Sequence, residues 1–559
     1  MAAPGAPSPE TRAVRIAGGL QIAAALGWLP QAALIAAAIG AIGSEDAIRT
    51  GLLCALGVLV LGLLRAGLDA AGTRLAFRAA RSALSRERAI AVTALAGRSP
   101  LDTDRPASGA AASALAEQAE ALVPYLSRFQ PARLKATVVP LVILACVAPI
   151  SWLAAAILVV AGPLIPVFMA LIGWQAQAAS EAQLEKLGDM NGFLLDRLRG
   201  MQTIRAFDAV DQTAKRLRAD AESLRTRTME VLRIAFLSSA VLELFSALGV
   251  ALVAVFVGFH LLGSIPFGAW GGKLDLAHAL FVLLVSPTFF EPLRELSAVW
   301  HDRAAGEAAK TALANISAEG LPLPGAHDAE AEPAPATATS GAAVEVNGLT
   351  FSHAGRADPV FEALDLTVAP GERIALYGSS GIGKSTLLAL IAGLAPIPDG
   401  AIRIDGVPLD DTTAATLRRR MAWIGQRPHV FVGTLRQNVA LHRPGLDRTA
   451  IDRALGLAAL GDLAELRPDT IGEGGVGLSG GEVVRLSIAR AVATPGVNLL
   501  LADEPTAHLD TATADRIAAD LFAIAERRTL IVATHDPRIA NRADRVIRFA
   551  DKKLTEAVA

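Results

Sequence analysis

Apolar positions fall into two regimes along the 559 residues of this chain. Up to about residue 300 they form long unbroken runs, and beyond residue 343 they come as short β-rich bursts separated by helical patterns. Six runs suit a hydrocarbon core that takes about 20 helical residues to cross: 18–42, 50–73, 134–151, 153–175, 234–262 and 276–296. The connections after the second and fourth runs are long. In the latter, Leu184, Leu187, Met190, Leu194 and Leu198 recur three and four apart among charges, the spacing of an amphipathic helix. An extension of about 25 helical residues would reach about 40 Å beyond the lipid, so these connections read as cytoplasmic arms suited to transmitting motion.

In the second regime, ERIALYG, VNLLLADE and RTLIVATH each precede a helical pattern. Apolar strands flanked by helices predict a parallel sheet covered on both faces, with ligands at the strands' carboxyl ends. The expected fold is multidomain: an all-α six-helix transmembrane domain fused to an α/β P-loop domain. The expected divisions are a disordered cytoplasmic tail over 1–17, the transmembrane domain over 18–320, a linker over 321–342 rich in Ala and Pro, and the α/β domain over 343–559.

Composition sharpens this division. With 52% hydrophobic and 19% charged residues, the chain is too apolar for an ordinary soluble protein of its size, and a lipid bilayer is its expected surroundings. A net charge of −2 argues against a nucleic-acid partner. Arginines concentrate in the two long connections, including Arg74, Arg78, Arg81, Arg86, Arg88 and Arg98 in the first, which puts both arms and both termini in the cytoplasm. Cys54 and Cys146 lie far apart in apolar runs and predict neither a disulfide framework nor a metal site. Arg65, Asp69, Glu243, Glu291 and Arg294 sit within or at the edge of apolar runs, where a charge needs a cavity, a partner or water. His260, His278 and His301 are interfacial or cavity-lining histidines, with haem ligation as the sharper alternative.

The chemistry is concentrated in the α/β half. Gly378, Ser379, Ser380, Gly381, Ile382, Gly383, Lys384, Ser385 and Thr386 spell G-x-x-x-x-G-K-[ST] between a strand and a helix. Glycines let backbone amides turn toward phosphates, Lys384 reaches the outer ones, and Ser385 ligates Mg²⁺. Asp503 and Glu504 end a run of apolar residues and would hold Mg²⁺ through water and polarise the attacking water. His535 ends RTLIVATH, where it can touch a γ-phosphate, and Gln426 offers an amide to Mg²⁺ and water. A second glycine-rich helix start, Leu478, Ser479, Gly480, Gly481 and Glu482, has no lysine.

This series resembles the nucleotide-binding domain of ATP-binding cassette (ABC) transporters: Walker A, Q-loop Gln426, signature LSGGE, Walker B, D-loop Asp510 and switch histidine His535. The resemblance implies ATP and Mg²⁺ as cofactors, Glu504 and His535 as catalytic residues, and Ser385, Gln426 and Asp503 around the metal. It also implies a dimer, because the signature of one subunit closes on ATP held by the other. His353 stands where the family usually stacks adenine on tyrosine. Glu482 replaces the commoner glutamine, and TIGEGG keeps Glu473 without the usual arginine.

The membrane half resembles type IV exporters, with FLLDRLRGMQTIRAFDA in the second arm. LFVLLVSPTFFEPLRELSAVWHDRAAGEAA and PLIPVFMALIGWQAQAAS resemble the CydD-type subunits of thiol-reductant exporters. That likeness implies a CydC-type partner in a heterodimer, a small thiol substrate (cysteine or glutathione), a place in the bacterial inner membrane, support of cytochrome bd assembly and a possible link to haem. A homodimeric lipid or multidrug exporter and a regulatory half with little ATP turnover are the alternatives.

Overall fold

The computed structural model describes residues 9–42, 45–165, 167–168, 193–194, 196–198, 200–270, 272–326, 340–353, 358–426, 428–443, 445–466, 471–472, 477–550 and 553–556. Two compact units emerge, one of Met1–Ala89 with Gly109–Asn315, the other of Ile90–Ser108 with Ile316–Ala559.

The first unit is helical. Its principal helices are α1 (Pro9–Leu26), α2 (Trp28–Gly40), α3 (Ala47–Ala96, continuing into the second unit), α4 (Gln130–Val147), α5 (Trp152–Ile165), α6 (Val210–Leu261) and α7 (Leu276–Ala298). Among the described residues five helical stretches are long and apolar enough to cross a membrane: Pro9–Gly40, Ala47–Ala96, Ser108–Val147, Ala240–Leu261 and Leu276–Ser317. The shorter apolar α5 begins the fourth predicted run. That run's end, Leu184, Leu187 and Met190 lie outside the described residues.

Residues 9–17 are not the disordered tail that the sequence predicts. Pro9 opens α1 with its fixed φ, Glu10 occupies the first turn, and Glu10 Oε2 lies 2.5 Å from Arg86 Nη1. The core of this unit joins Ile143, Leu158, Val253, Val282, Phe289 and Phe290. Glycine sets two close approaches: a Cβ on Gly162 would lie 2.9 Å from Phe289, and one on Gly249 would lie 2.9 Å from Phe290 Cε2 and 3.2 Å from Ala161. In contrast, α3 leaves Leu52, Leu56, Leu63 and their neighbours exposed, as a lipid-facing surface does.

In the second unit, β3 (Arg373–Tyr377), β6 (Met421–Ile424), β7 (Leu499–Asp503), β8 (Thr529–Thr534), β9 (Arg545–Ala550) and β10 (Lys553–Glu556) form one sheet, ordered β10-β9-β3-β8-β7-β6. All neighbours are parallel except β10, and β7 and β8 are buried throughout, which explains their uninterrupted apolar sequences. An antiparallel sheet, β2-β1-β4-β5, is made of β1 (Val344–Phe351), β2 (Phe361–Val368), β4 (Asp399–Ile404) and β5 (Val407–Pro408).

The tip of the first arm belongs to this unit. Ser99 N donates to Leu321 O at 2.8 Å, Leu323 N to Gly97 O at 2.8 Å, and Ser99 Oγ to Leu394 O at 2.5 Å. Arg98 and Asp102 form a buried ion pair, Nε to Oδ2 2.8 Å, and Asp102 also accepts from the amides of Asp104 and Leu321. Burial alone would raise the Asp102 pKa, but Arg98 and the two amides outweigh it and hold the carboxyl below its usual range. Gly320 has no room for a side chain, since a Cβ would collide with this pair. Residues 321–326 are thus bonded chain, with Gly325 N donating to Asp411 and Arg418 Nη2 to Pro324 O. The rest of the expected linker, 327–339, lies outside the described residues.

Candidate nucleotide site

Strand order brings the predicted residues together. Since β3, β8, β7 and β6 are consecutive and parallel, their carboxyl ends deliver the Walker A loop, His535, Asp503 with Glu504, and Gln426 to one edge. The loop after β3 needs glycine at Gly383, whose φ is +112° and whose Cβ would lie 2.7 Å from Val360. Lys384 then opens α8 (Lys384–Ile391).

Lys384 is buried, and its Nζ donates to Gly378 O at 2.7 Å and Ser379 O at 2.9 Å, with Glu504 Oε1 at 3.8 Å. Burial pushes its pKa below that of an ordinary lysine, although Glu504 and Asp503 pull the other way. Anionic phosphates would favour the charged form. Ser385 Oγ donates to Asp503 Oδ1 at 2.9 Å. Burial raises the Asp503 carboxyl pKa, with Glu504 adding to the effect and Ser385 and Lys384 opposing it. The hydroxyl, this carboxylate and the Gln426 amide are the hard oxygen donors that suit Mg²⁺.

Glu504 is the best-held group. Its φ is +47°, its amide donates to Ala533 O at 2.9 Å, and its carboxylate has two further partners: Gln426 Nε2 donates to Oε2 at 2.9 Å, and His535 Nδ1 lies 3.2 Å from Oε1. Because the carboxylate accepts, the proton belongs on His535 Nδ1, leaving Nε2 directed elsewhere.

His353 Nε2 lies 3.3 Å from Thr386 Oγ1, and its ring stands edge-on to Phe351. The residue in the tyrosine position is therefore tied to the end of Walker A. Ser479 caps α9 (Gly480–Ala493), accepting from Glu482 N at 3.3 Å, while Glu482 Oε2 accepts from Ser479 N at 2.7 Å. Glu482 is thus the acidic half of a capping box, a signal present in the sequence as S-x-x-E. Gly481 clears Thr513, and Asp510 caps α10 (Thr511–Ile524) by accepting from Thr513 N at 3.0 Å. Among the described residues, Ser479 and Glu482 bond to each other and not to the chain's own Walker A loop. Glu473 lies outside the described residues.

The membrane charges find mixed uses. Arg294 and Glu243 approach to 4.0 Å, and Arg81 pairs with Glu120 at 2.8 Å. Each histidine has a local partner: His260 Nε2 accepts from Leu274 N, His278 pairs with Asp275, and His301 with Asp302. Haem gains no support from them.

The profile of the ABC transporter family matches residues 361–507, and that of the ABC transporter transmembrane region matches residues 14–270. The chain is 34% identical over 531 residues to the transport ATP-binding protein AarD of Providencia stuartii, covering 94% of this chain and 89% of that one. It is 37% identical over 432 residues to the glutathione/L-cysteine transport system ATP-binding/permease protein CydD of Escherichia coli, covering 77% and 72%. A solved bacterial Atm1-family ABC exporter with ATP bound shares the fold, with a TM-score of 0.73, 22% identity and coverage of 98% of this chain and 94% of that one. This chain belongs to the ABC transporter family and is a multi-pass membrane protein whose cytoplasmic domain uses ATP and Mg²⁺ to drive transport.

Proposed function

We propose that the chain is one half of a dimeric exporter of small thiols, cysteine or glutathione, paired with a related CydC-type half. The substrate reading is supported by 37% identity to a protein named for glutathione and L-cysteine transport. The observation that carries the ATPase role is Glu504 held between Gln426 and His535 and close to Lys384.

In this reading Lys384 leaves the loop carbonyls for the outer phosphates, and Ser385, Asp503 and Gln426 would hold Mg²⁺, which would supply charge neutralisation on the phosphates. Release of the Gln426 amide from Glu504 frees one carboxylate oxygen to polarise the attacking water. His535 retains the other oxygen and steadies the γ-phosphate through Nε2. Ser479 and the glycines of the signature close on nucleotide held by the partner, and Asp510 helps to set that interface. His353 sits beside the base. Closure then moves the arms, and the membrane helices open outward. Intact Glu504 and His535 weigh against a regulatory half without turnover.

Inverted vesicles containing the chain and its partner should accumulate radiolabelled glutathione or cysteine with ATP, and Glu504→Gln should lower ATPase about 10²- to 10⁴-fold. ATP-dependent uptake of haem or lipid, with neither thiol moved, would overturn the substrate reading. Undiminished hydrolysis in Glu504→Gln would overturn the catalytic assignment.

A further inference from the structure

A cavity of about 430 Å³ opens inside the first unit, bordered by α1, α2, α3, α4 and α7. Its size suits a small molecule. Its charges are unusual for a membrane-spanning region. Arg65 is fixed by neutral groups alone: Nε donates to Ala24 O at 3.0 Å, Nη1 to Gln31 Oε1 at 3.2 Å, and the guanidinium lies 5.4 Å from the Trp28 ring. These supports are themselves anchored, Gln31 Nε2 on Val58 O at 2.9 Å and Trp28 Nε1 on Leu284 O at 3.1 Å. Among the described residues no carboxylate lies within ion-pair distance of Arg65, and its Nη2 has no hydrogen-bond partner.

Two lining carboxylates, Asp69 one turn along α3 and Glu291 on α7, have neither an ion pair nor a hydrogen bond among the described residues. The remaining lining charges, Lys135 and Glu295, neutralise each other at 2.6 Å. Asp69 and Glu291 are exposed and Arg65 is half-buried, so charges of both signs line an open cavity in a membrane-spanning region, where water or a ligand answers them. A lone cation would leave Arg65 unanswered, and a lone anion would face Asp69 and Glu291. A ligand carrying both an ammonium and a carboxylate satisfies all three.

The geometry points to this cavity as a binding site for a small zwitterion of the α-amino-acid type, its carboxylate on Arg65 and its ammonium between Asp69 and Glu291. The inference rests on the exporter reading for the ligand's entry from the cytoplasm and for thiols as the first probes, while the charge pattern itself asks for no sulfur. Arg65 then reads the carboxylate through a guanidinium already immobilised, which lowers the ordering cost of binding.

The test uses the full chain with its partner in lipid nanodiscs and titration calorimetry with four probes. They are L-cysteine, L-serine, cysteamine (no carboxylate) and 3-mercaptopropionate (no ammonium). Both zwitterions should bind about tenfold or more tightly than either truncated probe. Arg65→Met should weaken L-cysteine about tenfold or more and leave cysteamine unchanged. Glu291→Gln and Asp69→Asn, nearly isosteric, should weaken L-cysteine and leave 3-mercaptopropionate unchanged. Cysteamine binding as tightly as L-cysteine, or L-cysteine binding unaltered in all three variants, would overturn the site. Thiol transport persisting in variants that bind L-cysteine normally would defeat the site and leave the exporter reading standing. Binding of L-serine that follows the predicted pattern, with no thiol transported, would do the reverse.

Discussion

Replacing Asp102 by alanine removes one half of the buried clasp at the tip of the first arm. The side chains of Arg98 and Asp102 are 7% and 3% exposed, so water cannot take over the role of the lost carboxylate. Three donors lose their acceptor at once: Arg98 Nε, Asp104 N and Leu321 N. Breaking a buried pair by removing one partner costs about 3–5 kcal/mol, or about 10²- to 5 × 10³-fold in the local opening equilibrium. The loss should be local, because Ser99 and Leu323 make separate bonds across the same contact. Hydrogen exchange of the Ser99, Leu321 and Leu323 amides in the assembled transporter reads it directly, and the ratio of substrate transported to ATP hydrolysed reads its consequence. We expect exchange to accelerate by that factor and the ratio to fall. The double variant Arg98→Met, Asp102→Leu should restore part of the protection, since no unpaired charge remains although the Asp104 and Leu321 amides still lack their acceptor. Unchanged exchange at Leu321 in Asp102→Ala would show that the clasp is already open in solution and would refute the reasoning.

Glu482→Ala should destabilise the cassette by about 1 kcal/mol through loss of the capping box, whereas Glu482→Gln should be nearly neutral; denaturant melts separate the two. Gly249→Val should cost about 1–3 kcal/mol in thermal melts by overpacking against Phe290 and Ala161, while Gly258→Val, where a Cβ meets nothing within 4 Å, serves as the tolerant control. Asp544 Oδ1 lies 2.5 Å from Arg373 Nη2, and that hydrogen bond is the main cause of its depressed pKa. The pair's contribution is complete above the ordinary carboxylate range and disappears as pH falls through the folded-state value. Asp544→Asn should therefore lower stability at neutral pH and flatten the acid limb of the cassette's pH–stability curve, measured by denaturant melts.

The catalytic edge was legible because its parts are local: a glycine loop after a strand, two carboxylates at the end of a buried one, a histidine at the end of the next. Strand adjacency then does the assembly, and an alternation of β and α patterns already implies it. What escaped the sequence reading depends on contacts far apart along the chain. Arg98 looked like one more cytoplasmic arginine, because the residues that make it part of a clasp include Gly320 and Leu321, more than 200 positions away. Residues 321–326 looked like linker because their Pro-rich run carries no helical or strand period, yet Leu321 packs on the cassette core and Asp102, Asp411 and Arg418 hold the segment. Glu482 looked like a departure from pattern, although its spacing from Ser479 spelled out a helix cap. The tail expected over 1–17 gives way from Pro9 onward to a helix that the Arg86 side chain meets.

The second unit is discontinuous, and this bears on biosynthesis. Its first piece, Ile90–Ser108, leaves the ribosome about 200 residues before the piece it must join. At about 5–20 residues per second, Arg98 and Asp102 wait about 10–45 s for Gly320 and Leu321, and Ser99 waits about 15–60 s for Leu394. Through that interval the nascent arm has no cassette to dock on, so truncation or stalling anywhere before residue 316 leaves its tip exposed to chaperones and proteases. A cassette expressed by itself from residue 343 would start life with the complementary face bare.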